Sequence, residues 1–192
     1  MSSVAVFRRP HEPLAEDLED AFREHSRLVY RTAYSVTGSA QDAEDVVQTL
    51  FLQLLRRGFP PDFTKNPKGY LYRAAVNLSL NAVKARQRRA AGGDPDRLDI
   101  ADHRVDEPHE PIADDELQTR LVAAIAQLNP RAVEMLILRY EHDTSEAEIG
   151  RLLGTSRAVV AVTLFRARAR LKKLLRASAS DGRGRPSGRP EE

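Results

Sequence analysis

The sequence predicts an all-α protein with two small helical domains joined by a flexible acidic linker. Apolar residues recur at helical spacing through most of the chain, and no strand-like alternation competes with that pattern. A Gly-, Pro- and Asp-rich segment carries 7 acidic and 2 basic side chains between two net-basic blocks, and it buries too little apolar surface to fold. The predicted divisions are a flexible N-terminus over 1–13, domains over 14–89 and 114–176, the linker over 90–113 and a disordered tail over 177–192.

Composition excludes several classes of protein and site. The 192 residues include no cysteine, which excludes disulfides and thiolate metal sites. The five histidines show no paired ligand spacing, so we interpret them as surface residues and expect no metal or other cofactor. No apolar run approaches the ~20 residues of a membrane span, and no signal-peptide pattern opens the chain. These features predict a cytoplasmic protein without membrane insertion, and the lack of a catalytic constellation argues against an enzyme.

Caps and breaker residues define the helices of the first domain. Gly38 ends the first helix, and Ser39 with Asp42 has the pattern of a capping box that opens the second. Residues 58–65 contain two prolines and are predicted to form a loop, after which Asn66 and a following proline begin a third helix. The residues predicted to face the core from the first two helices are Leu14, Leu18, Phe22, Val29, Ala33, Val36, Val46, Val47, Leu50, Phe51, Leu54 and Leu55.

Two polar surfaces stand out in this domain. The second helix carries an acidic patch, formed by Asp42, Glu44, Asp45 and Gln48. Helix N-termini favour negative charge in any case, so simple capping is the alternative interpretation. The third helix carries a polar-basic stripe, formed by Arg73, Asn77, Asn81, Lys84 and Arg88, opposite an apolar face formed by Leu71, Ala75, Leu78 and Ala82. Nearby aromatics (Phe59, Phe63, Tyr70 and Tyr72) make the stripe suitable for melted nucleic acid, and a solvated face is the alternative.

The second domain ends in a helical hairpin. Ser145 with Glu148 forms a capping-box pattern, Gly154 marks a left-handed turn, and Ser156 can cap the next helix. Val160, Leu164, Ala167, Leu171 and Leu174 form the apolar face of that helix, and its far end is basic at Arg166, Arg168, Arg170, Lys172 and Lys173. Two helices with a tight glycine-containing turn match the helix-turn-helix pattern, whose second helix enters the DNA major groove. The alternative is an amphipathic hairpin with a solvated basic face.

Four stretches in this order carry a resemblance to a known family. They are "SAQDAEDVVQTLFLQLLRR", "GYLYRAAVNLSLNAVKARQRR", "LNPRAVEMLILRY" and the hairpin. Together they resemble bacterial RNA polymerase sigma factors of the extracytoplasmic-function (ECF) group, over about residues 14–89 and 114–175. The resemblance implies a region 2 helical bundle, a region 4 helix-turn-helix domain and a role in transcription initiation rather than catalysis.

The resemblance also implies the partners. The first domain is expected to dock on the clamp helices of the largest core-polymerase subunit, and the second on the flap of the second-largest subunit. The residues that match the core-binding motif are Asp42, Glu44, Asp45, Val46, Gln48 and Leu52. The family also has anti-sigma factors as partners, and the sequence leaves open whether one exists for this chain.

Promoter DNA is implied at two elements. At the minus-ten element one base is flipped into a pocket, and Asn77 matches a family position that lines this interaction. The residues expected to bind this element are Phe63, Tyr70, Arg73, Asn77, Asn81, Lys84 and Arg88. Asn81 stands where many relatives carry aspartate. At the minus-thirty-five element Arg166 and Arg168 match the family pattern, and the residues expected to bind the DNA are Ser156, Arg157, Ala161, Val162, Phe165, Arg166 and Arg168.

The recognition helix departs from the family pattern. Relatives often carry Lys-Ser-Arg where this chain has Ala161, Val162 and Thr163, which reduces polar readout of base edges. Apolar contact with thymine methyls, DNA shape and phosphate contacts are what remain. An unusual upstream element is the preferred interpretation, and stronger dependence on core polymerase is the alternative.

Two other functions compete with this interpretation. A helix-turn-helix transcriptional regulator that acts without docking on core polymerase would need an effector or phosphoacceptor domain, and the sequence shows none. An anti-sigma factor or adaptor would use the basic stripe only as a solvated face. Polymerase-dependent DNA binding would exclude this last alternative.

Overall fold

The computed structural model describes residues 12–91 and 113–181, which form helices without any strand. The all-α prediction is therefore confirmed. The helices are α1 (Glu12–Thr37), α2 (Ala40–Arg57), α3 (Pro61–Lys65), α4 (Pro67–Ala90), α5 (Ala113–Ile125), α6 (Pro130–Tyr140), α7 (Glu146–Leu153) and α8 (Arg157–Asp181). The flexibility predicted for the N-terminus, for most of the linker and for most of the tail concerns segments outside the described residues.

Helices α1–α4 form the first domain around an apolar core. Its buried members include Val29, Ala33, Leu50, Leu54 and Leu71. The predicted breaks are present: Gly38 ends α1 at a φ of 66°. The Ser39 side chain accepts the Asp42 amide at 3.2 Å, and Asn66 caps α4 by accepting the Gly69 amide at 2.9 Å. Only half of the predicted capping box forms at α2, because the Asp42 carboxylate pairs with Arg86 instead.

Three predictions about this domain were wrong. The segment 58–65 is not wholly a loop, because α3 forms within it with Pro61 at its first position and Asp62 in its first turn. Both residues favour a helix start, and burial of Phe63 holds the short helix against the domain. Phe22 and Leu55, predicted to face the core, are each 47% exposed. Both lie at the edge of the apolar faces of α1 and α2, and the Phe22 ring still packs edge-on against that of the buried Phe51, with the ring centroids 4.9 Å apart.

Helices α5–α8 form the second domain, and its hairpin follows the prediction closely. Both arms of the capping box between Ser145 and Glu148 are present. Gly154 adopts the left-handed conformation at φ 65° and ψ 45°, and Ser156 accepts the Val159 amide at 3.3 Å. The residues buried at the junction of α7 and α8 are Ile149, Leu153, Val160, Leu164 and Ala167.

Helix α8 extends farther than predicted. It continues through Asp181, so the tail predicted to be disordered from residue 177 begins as helix. A nucleated helix gains a hydrogen bond for each residue it orders, and Ala177 and Ala179 are strong helix formers. The Ser178 hydroxyl also donates to the Leu175 carbonyl at 3.0 Å. At the N-terminal end, α1 begins at Glu12, two residues before the predicted start of the first domain at residue 14.

The two domains pack against each other. Tyr72, Val76 and Leu80 of α4 join one buried cluster with Val133 and Met135 of α6. Polar contacts surround this cluster: Arg31 with Glu141 at 2.9 Å, the Asn66 amide with the Leu152 carbonyl at 3.0 Å, and the Gln118 amide with the Gly38 carbonyl at 3.1 Å. We call this arrangement the closed form.

Replacement of Gly150 tests the tight turn of the hairpin. A Cβ at this position would lie 2.8 Å from the Thr155 carbonyl oxygen. Gly150→Ala should therefore lower the free energy of unfolding by about 1–3 kcal/mol through overpacking, although alanine favours a helix. Thermal and urea unfolding measure the change.

Ala147→Gly on the exposed side of the same helix is the control. It should cost about 1 kcal/mol at most, from helix propensity alone. A Gly150→Ala variant that is more stable than the wild type would contradict the close approach of α7 to the turn.

Candidate nucleic-acid interface

The polar-basic stripe on α4 is exposed over most of its length. Asn77, Asn81, Lys84 and Arg88 face solvent, whereas Arg73 is half-buried. From residue 73 to residue 88 the stripe extends about 22 Å along the helix, at about 1.5 Å per residue. A helix edge of this length, with cationic groups at both ends and two side-chain amides between them, can follow several nucleotides of a single strand.

The aromatic residues near the stripe pack mainly on one another. Phe59 and Phe63 stack with their ring centroids 4.4 Å apart, and Tyr70 meets Phe63 edge-on at 5.8 Å. Phe63 is only 6% exposed, so it supports this cluster from beneath while Tyr70 and Phe59 are partly accessible. Tyr72 is fully buried, which corrects the expectation that its ring is available for stacking. Burial also raises the pKa of the Tyr72 phenol far above its ordinary value.

The start of the stripe lies near the second domain in the closed form. Glu134 of α6 is 4% exposed and accepts a hydrogen bond from Arg131 at 2.9 Å. Burial raises the pKa of Glu134, and the hydrogen bond from Arg131 and the charges of Arg131 and Arg73 oppose that rise. Arg73 is therefore close enough to a buried carboxylate of the other domain to stabilise its charge.

The acidic patch of α2 is a surface of mixed character. Glu44, Asp45, Gln48 and Leu52 are exposed. Asp42 is instead tied to Arg86 at 2.7 Å. Val46 is 4% exposed and belongs to the domain core, so it cannot itself contact a partner in this structure, contrary to its assignment as a contact residue.

Sequence reasoning missed one residue of this surface. Leu55, assigned to the core, is as exposed as Leu52, and it lies three residues beyond Leu52 on the same side of α2. The sequence did contain an indication of this exposure. Gln48, Leu52 and Leu55 are spaced three or four residues apart, which places both leucines on the acidic side of α2. Apolar side chains surrounded by charged ones are typical of protein–protein interfaces.

The second helix of the hairpin presents both basic and apolar groups. Arg157, Val162, Phe165, Arg166 and Arg168 are exposed, and Ala161 is half-buried. Ser156 is exposed and acts as the cap of α8. Val159 is 50% exposed on the same side and was not predicted. Its position one turn before Val162 was the signal that could have identified it.

An apolar groove of about 500 Å³ lies on the second domain, beside α1. Its apolar lining includes Leu121, Ile125, Leu136, Ile137, Tyr140 and Leu171. Of these, Tyr140 is 61% exposed and Leu121 is 36% exposed. The groove therefore offers an accessible apolar surface between α5, α6 and α8.

His142 lies at the contact between the two domains, which corrects its interpretation as a surface residue. Its ring lies edge-on to that of Tyr72 at 5.5 Å, and its Nε2 is 3.4 Å from the Thr32 hydroxyl. Burial lowers the pKa of His142, as does the positive charge of Arg31, while Glu141 opposes the shift. The His25 side chain is likewise only 13% exposed.

Among the described residues no group of three potential ligands is placed to hold a metal ion. No helix in the described part of the chain is both long and apolar enough to cross a membrane.

The chain is similar to known proteins in both of its domains. The family model described as sigma-70 region 2 matches residues 21–89, and that described as sigma-70 region 4 matches residues 118–171. The ECF RNA polymerase sigma factor SigE of Mycolicibacterium smegmatis is 29% identical, over 85% of this chain and 63% of its own length. SigG of Mycobacterium tuberculosis is 30% identical, over 91% of this chain and 52% of its own length.

A solved structure was also found, the complex of the sigma factor RpoE with the anti-sigma factor NepR from Bartonella quintana. It has a TM-score of 0.47 and 20% identity, and the match covers 84% of this chain and 98% of that one.

The fold and its surfaces define a two-domain helical protein with a helix-turn-helix module. The chain belongs to the sigma-70 family, whose region 2 and region 4 together match more than half of it, and the two relatives above are ECF RNA polymerase sigma factors. It spans between half and two thirds of the length of SigG and SigE. The matched regions lie within the predicted domains, whose outer limits stay predictions.

Substitution of His142 tests how its imidazole affects the pH dependence of the protein's thermal stability. Because the pKa of His142 is lower in the folded protein, the unfolded chain binds the proton more tightly. Its contribution to stability is thus present above the ordinary pKa near 6.5 and is lost as the pH falls through the lowered pKa. His142→Gln should reduce the loss of melting temperature between about pH 7.5 and pH 5.

Thermal unfolding across that pH range makes the measurement. The His25→Gln variant is the control, since it keeps His142 and the pH dependence that His142 causes. If the melting temperatures of the wild type and of His142→Gln depended identically on pH, His142 would not be the cause of the stability loss at low pH.

Proposed function

We propose that this chain is an ECF-type sigma factor that binds core RNA polymerase and directs transcription initiation from promoters with two recognition elements. The observation that carries the proposal is the presence of three distinct surfaces on three helices: the acidic patch of α2, the stripe of α4 and the recognition helix α8. A regulator that binds only duplex DNA needs the last of these alone. The protein would act in the cytoplasm as a non-enzymatic factor, without a cofactor.

The α2 surface is proposed to dock on the clamp helices of the largest polymerase subunit. Glu44, Asp45 and Gln48 supply charge and hydrogen-bonding groups, and Leu52 and Leu55 supply exposed apolar area beside them. Burial of the two leucines provides affinity, and the carboxylates select a basic partner surface. Asp42 is less available, because its ion pair with Arg86 would have to be exchanged.

The α4 stripe is proposed to hold the non-template strand of the minus-ten element. Lys84 and Arg88 suit phosphate contacts, while the side-chain amides of Asn77 and Asn81 can donate to and accept from exposed base edges. Extrusion of a base costs a few kcal/mol of stacking, which these contacts must offset. Tyr70, at the start of α4, is partly exposed and is proposed to cover the flipped base.

Simultaneous use of both elements requires the closed form to open. The minus-ten and minus-thirty-five elements are about 25 base pairs apart, which is about 85 Å of duplex. The closed form instead joins Arg31 to Glu141 and Asn66 to Leu152. A fully extended chain between Ala91 and Ala113 can reach about 75 Å, which together with the size of the domains is enough for this span.

The apolar groove is the proposed site for the flap of the second-largest subunit. Its lining comes mainly from α5, α6 and α8, on the domain that also carries the recognition helix. An apolar helix from the flap would anchor this domain upstream. An anti-sigma factor would be a further partner if it covered the α2 surface or this groove.

The first test is whether the purified chain co-elutes with sigma-free core RNA polymerase, followed by run-off transcription on a genomic promoter library. Co-elution with discrete transcription starts is expected. Binding to duplex DNA without co-elution would instead support a helix-turn-helix regulator that acts independently of core polymerase.

Charge reversal on α2 should weaken docking without unfolding the domain. Asp45 is exposed, so Asp45→Arg leaves the core intact but places a positive charge against a basic partner surface. We expect core affinity to fall by about tenfold or more, measured by fluorescence anisotropy with labelled protein.

Asp17→Arg is the matched control, because it makes the same charge change at an exposed position of α1. Unchanged core affinity of Asp45→Arg, with normal thermal unfolding, would exclude this part of the proposal.

Truncation of Asn77 should impair promoter melting more than duplex binding. Asn77→Ala removes an exposed amide without disturbing packing, and the loss of about one hydrogen bond to melted DNA should lower open-complex formation by up to about tenfold. Permanganate footprinting reports melting, and gel shift at low temperature reports closed-complex affinity.

Gln87→Ala on the same helix is the control, since it removes an exposed amide outside the stripe. Equal permanganate reactivity for Asn77→Ala and the wild type would show that Asn77 has no part in melting.

A further inference from the structure

We propose that the recognition helix selects its upstream element through thymine methyl groups, which are contacted by an apolar stripe of Val159, Val162 and Phe165. The inference rests on the proposed function and names the base chemistry that the second domain reads. It predicts an upstream element with thymines at neighbouring positions of one strand.

The three side chains are exposed although their helix has a well-formed buried face. Val159 is 50% exposed, Val162 is 49% exposed and Phe165 is 69% exposed. On the opposite side of α8, Val160 and Leu164 are at most 2% exposed. The stripe is therefore not part of the hairpin core, and it leaves apolar area in water that a partner can cover.

The stripe lies where a recognition helix contacts base edges. Its residues are the third, sixth and ninth of α8, within the N-terminal part of the helix. Such helices place their N-terminal residues against the bases of the major groove. From Val159 to Phe165 the helix rises about 9 Å, close to the length of three base-pair steps.

The chemistry of these side chains restricts what they can read. Valine, alanine and phenylalanine carry no side-chain donor or acceptor, so Val159, Ala161, Val162 and Phe165 cannot distinguish bases by hydrogen bonds. Thr163 has a hydroxyl but is partly buried. In the major groove the apolar group at a base edge is the C5 methyl of thymine, and its position distinguishes T·A from A·T.

The surrounding charges favour DNA as the occupant over another protein or a lipid surface. Arg157 lies at the start of the stripe, and Arg166, Arg168 and Arg170 lie at its end, all of them exposed. Cations at both ends match the phosphates that border a major groove. The exposure of Val159, Val162 and Phe165 shows that the first helix of the hairpin does not cover this side of α8.

The test begins with selection of duplexes from a random library by the full-length chain, alone and bound to core polymerase. Each thymine of the selected upstream element is then replaced by deoxyuridine, which removes one methyl group and changes no hydrogen-bonding group. We expect two or three neighbouring positions at which this replacement weakens binding by about fourfold, the effect of one buried methyl group.

Matched variants assign the effect to the stripe. Phe165→Ser and Val162→Ser should fold normally because both positions are exposed, and since serine carries no methyl group, each should lose the preference for thymine over deoxyuridine at its own position. Leu117→Ala on α5, which is 52% exposed, is the control and should keep the full preference.

The outcomes separate this inference from the proposed function. Normal co-elution and run-off transcription with no effect of deoxyuridine at any position would overturn methyl readout and leave the sigma-factor role intact. Failure of co-elution with a preserved thymine preference would overturn the sigma-factor role and support methyl readout. Failure to enrich any duplex, alone or with polymerase, or capture of a protein partner by the stripe in place of DNA, would overturn the inference.

Discussion

The burial of α4 on two sides is the constraint on which the rest of the structure depends. Leu71 and Ala75 pack into the first domain, while Tyr72 and Val76, one position further along, pack against the second. With two sides of α4 buried, one side remains exposed to solvent. The polar-basic stripe lies on this exposed side. A rotation of α4 by one residue would bury unpaired cations, at a cost of several kcal/mol, so the packing fixes the orientation of the stripe.

The same packing determines what opening of the closed form would cost. In the ion pair between Arg31 and Glu141 the side chains are 47% and 38% exposed, and pairs that are open to solvent contribute about 0–1 kcal/mol. Tyr72, Val76 and Leu80 are at most 2% exposed, and full burial of one large apolar side chain contributes about 1.5–3 kcal/mol. The apolar side of α4 formed by Tyr72, Val76 and Leu80 therefore contributes most to holding the domains together. The polar contacts mainly fix the position of one domain relative to the other. Under the proposed function, contacts with polymerase and promoter DNA would have to offset the exposure of this apolar side.

The sequence predicted what depends on neighbouring residues and missed what depends on distant ones. The caps at Asn66 and Ser145 and the glycine turn at 154 were predicted, because each needs only partners within a few residues. The burial of Tyr72 and His142 was not, since it arises from contacts between residues 70 to 110 positions apart. Helical periodicity indicated one apolar side of α4. The second apolar side, with Tyr72 and Val76, is identified only from its contact with α6 in the folded structure.

The two proposed DNA sites differ in how much discrimination each can supply. One methyl contact contributes about 0.8 kcal/mol, whereas one bidentate side-chain–base pair contributes about 1–3 kcal/mol. Three methyl contacts from Val159, Val162 and Phe165 thus equal roughly one bidentate pair, too little for the second domain to choose a promoter alone. Engagement of the first domain raises the effective concentration of the second at its element, which turns a weak preference into selective binding. Under the proposed function, promoter choice would therefore belong to an open, polymerase-bound form in which both domains contact the same DNA.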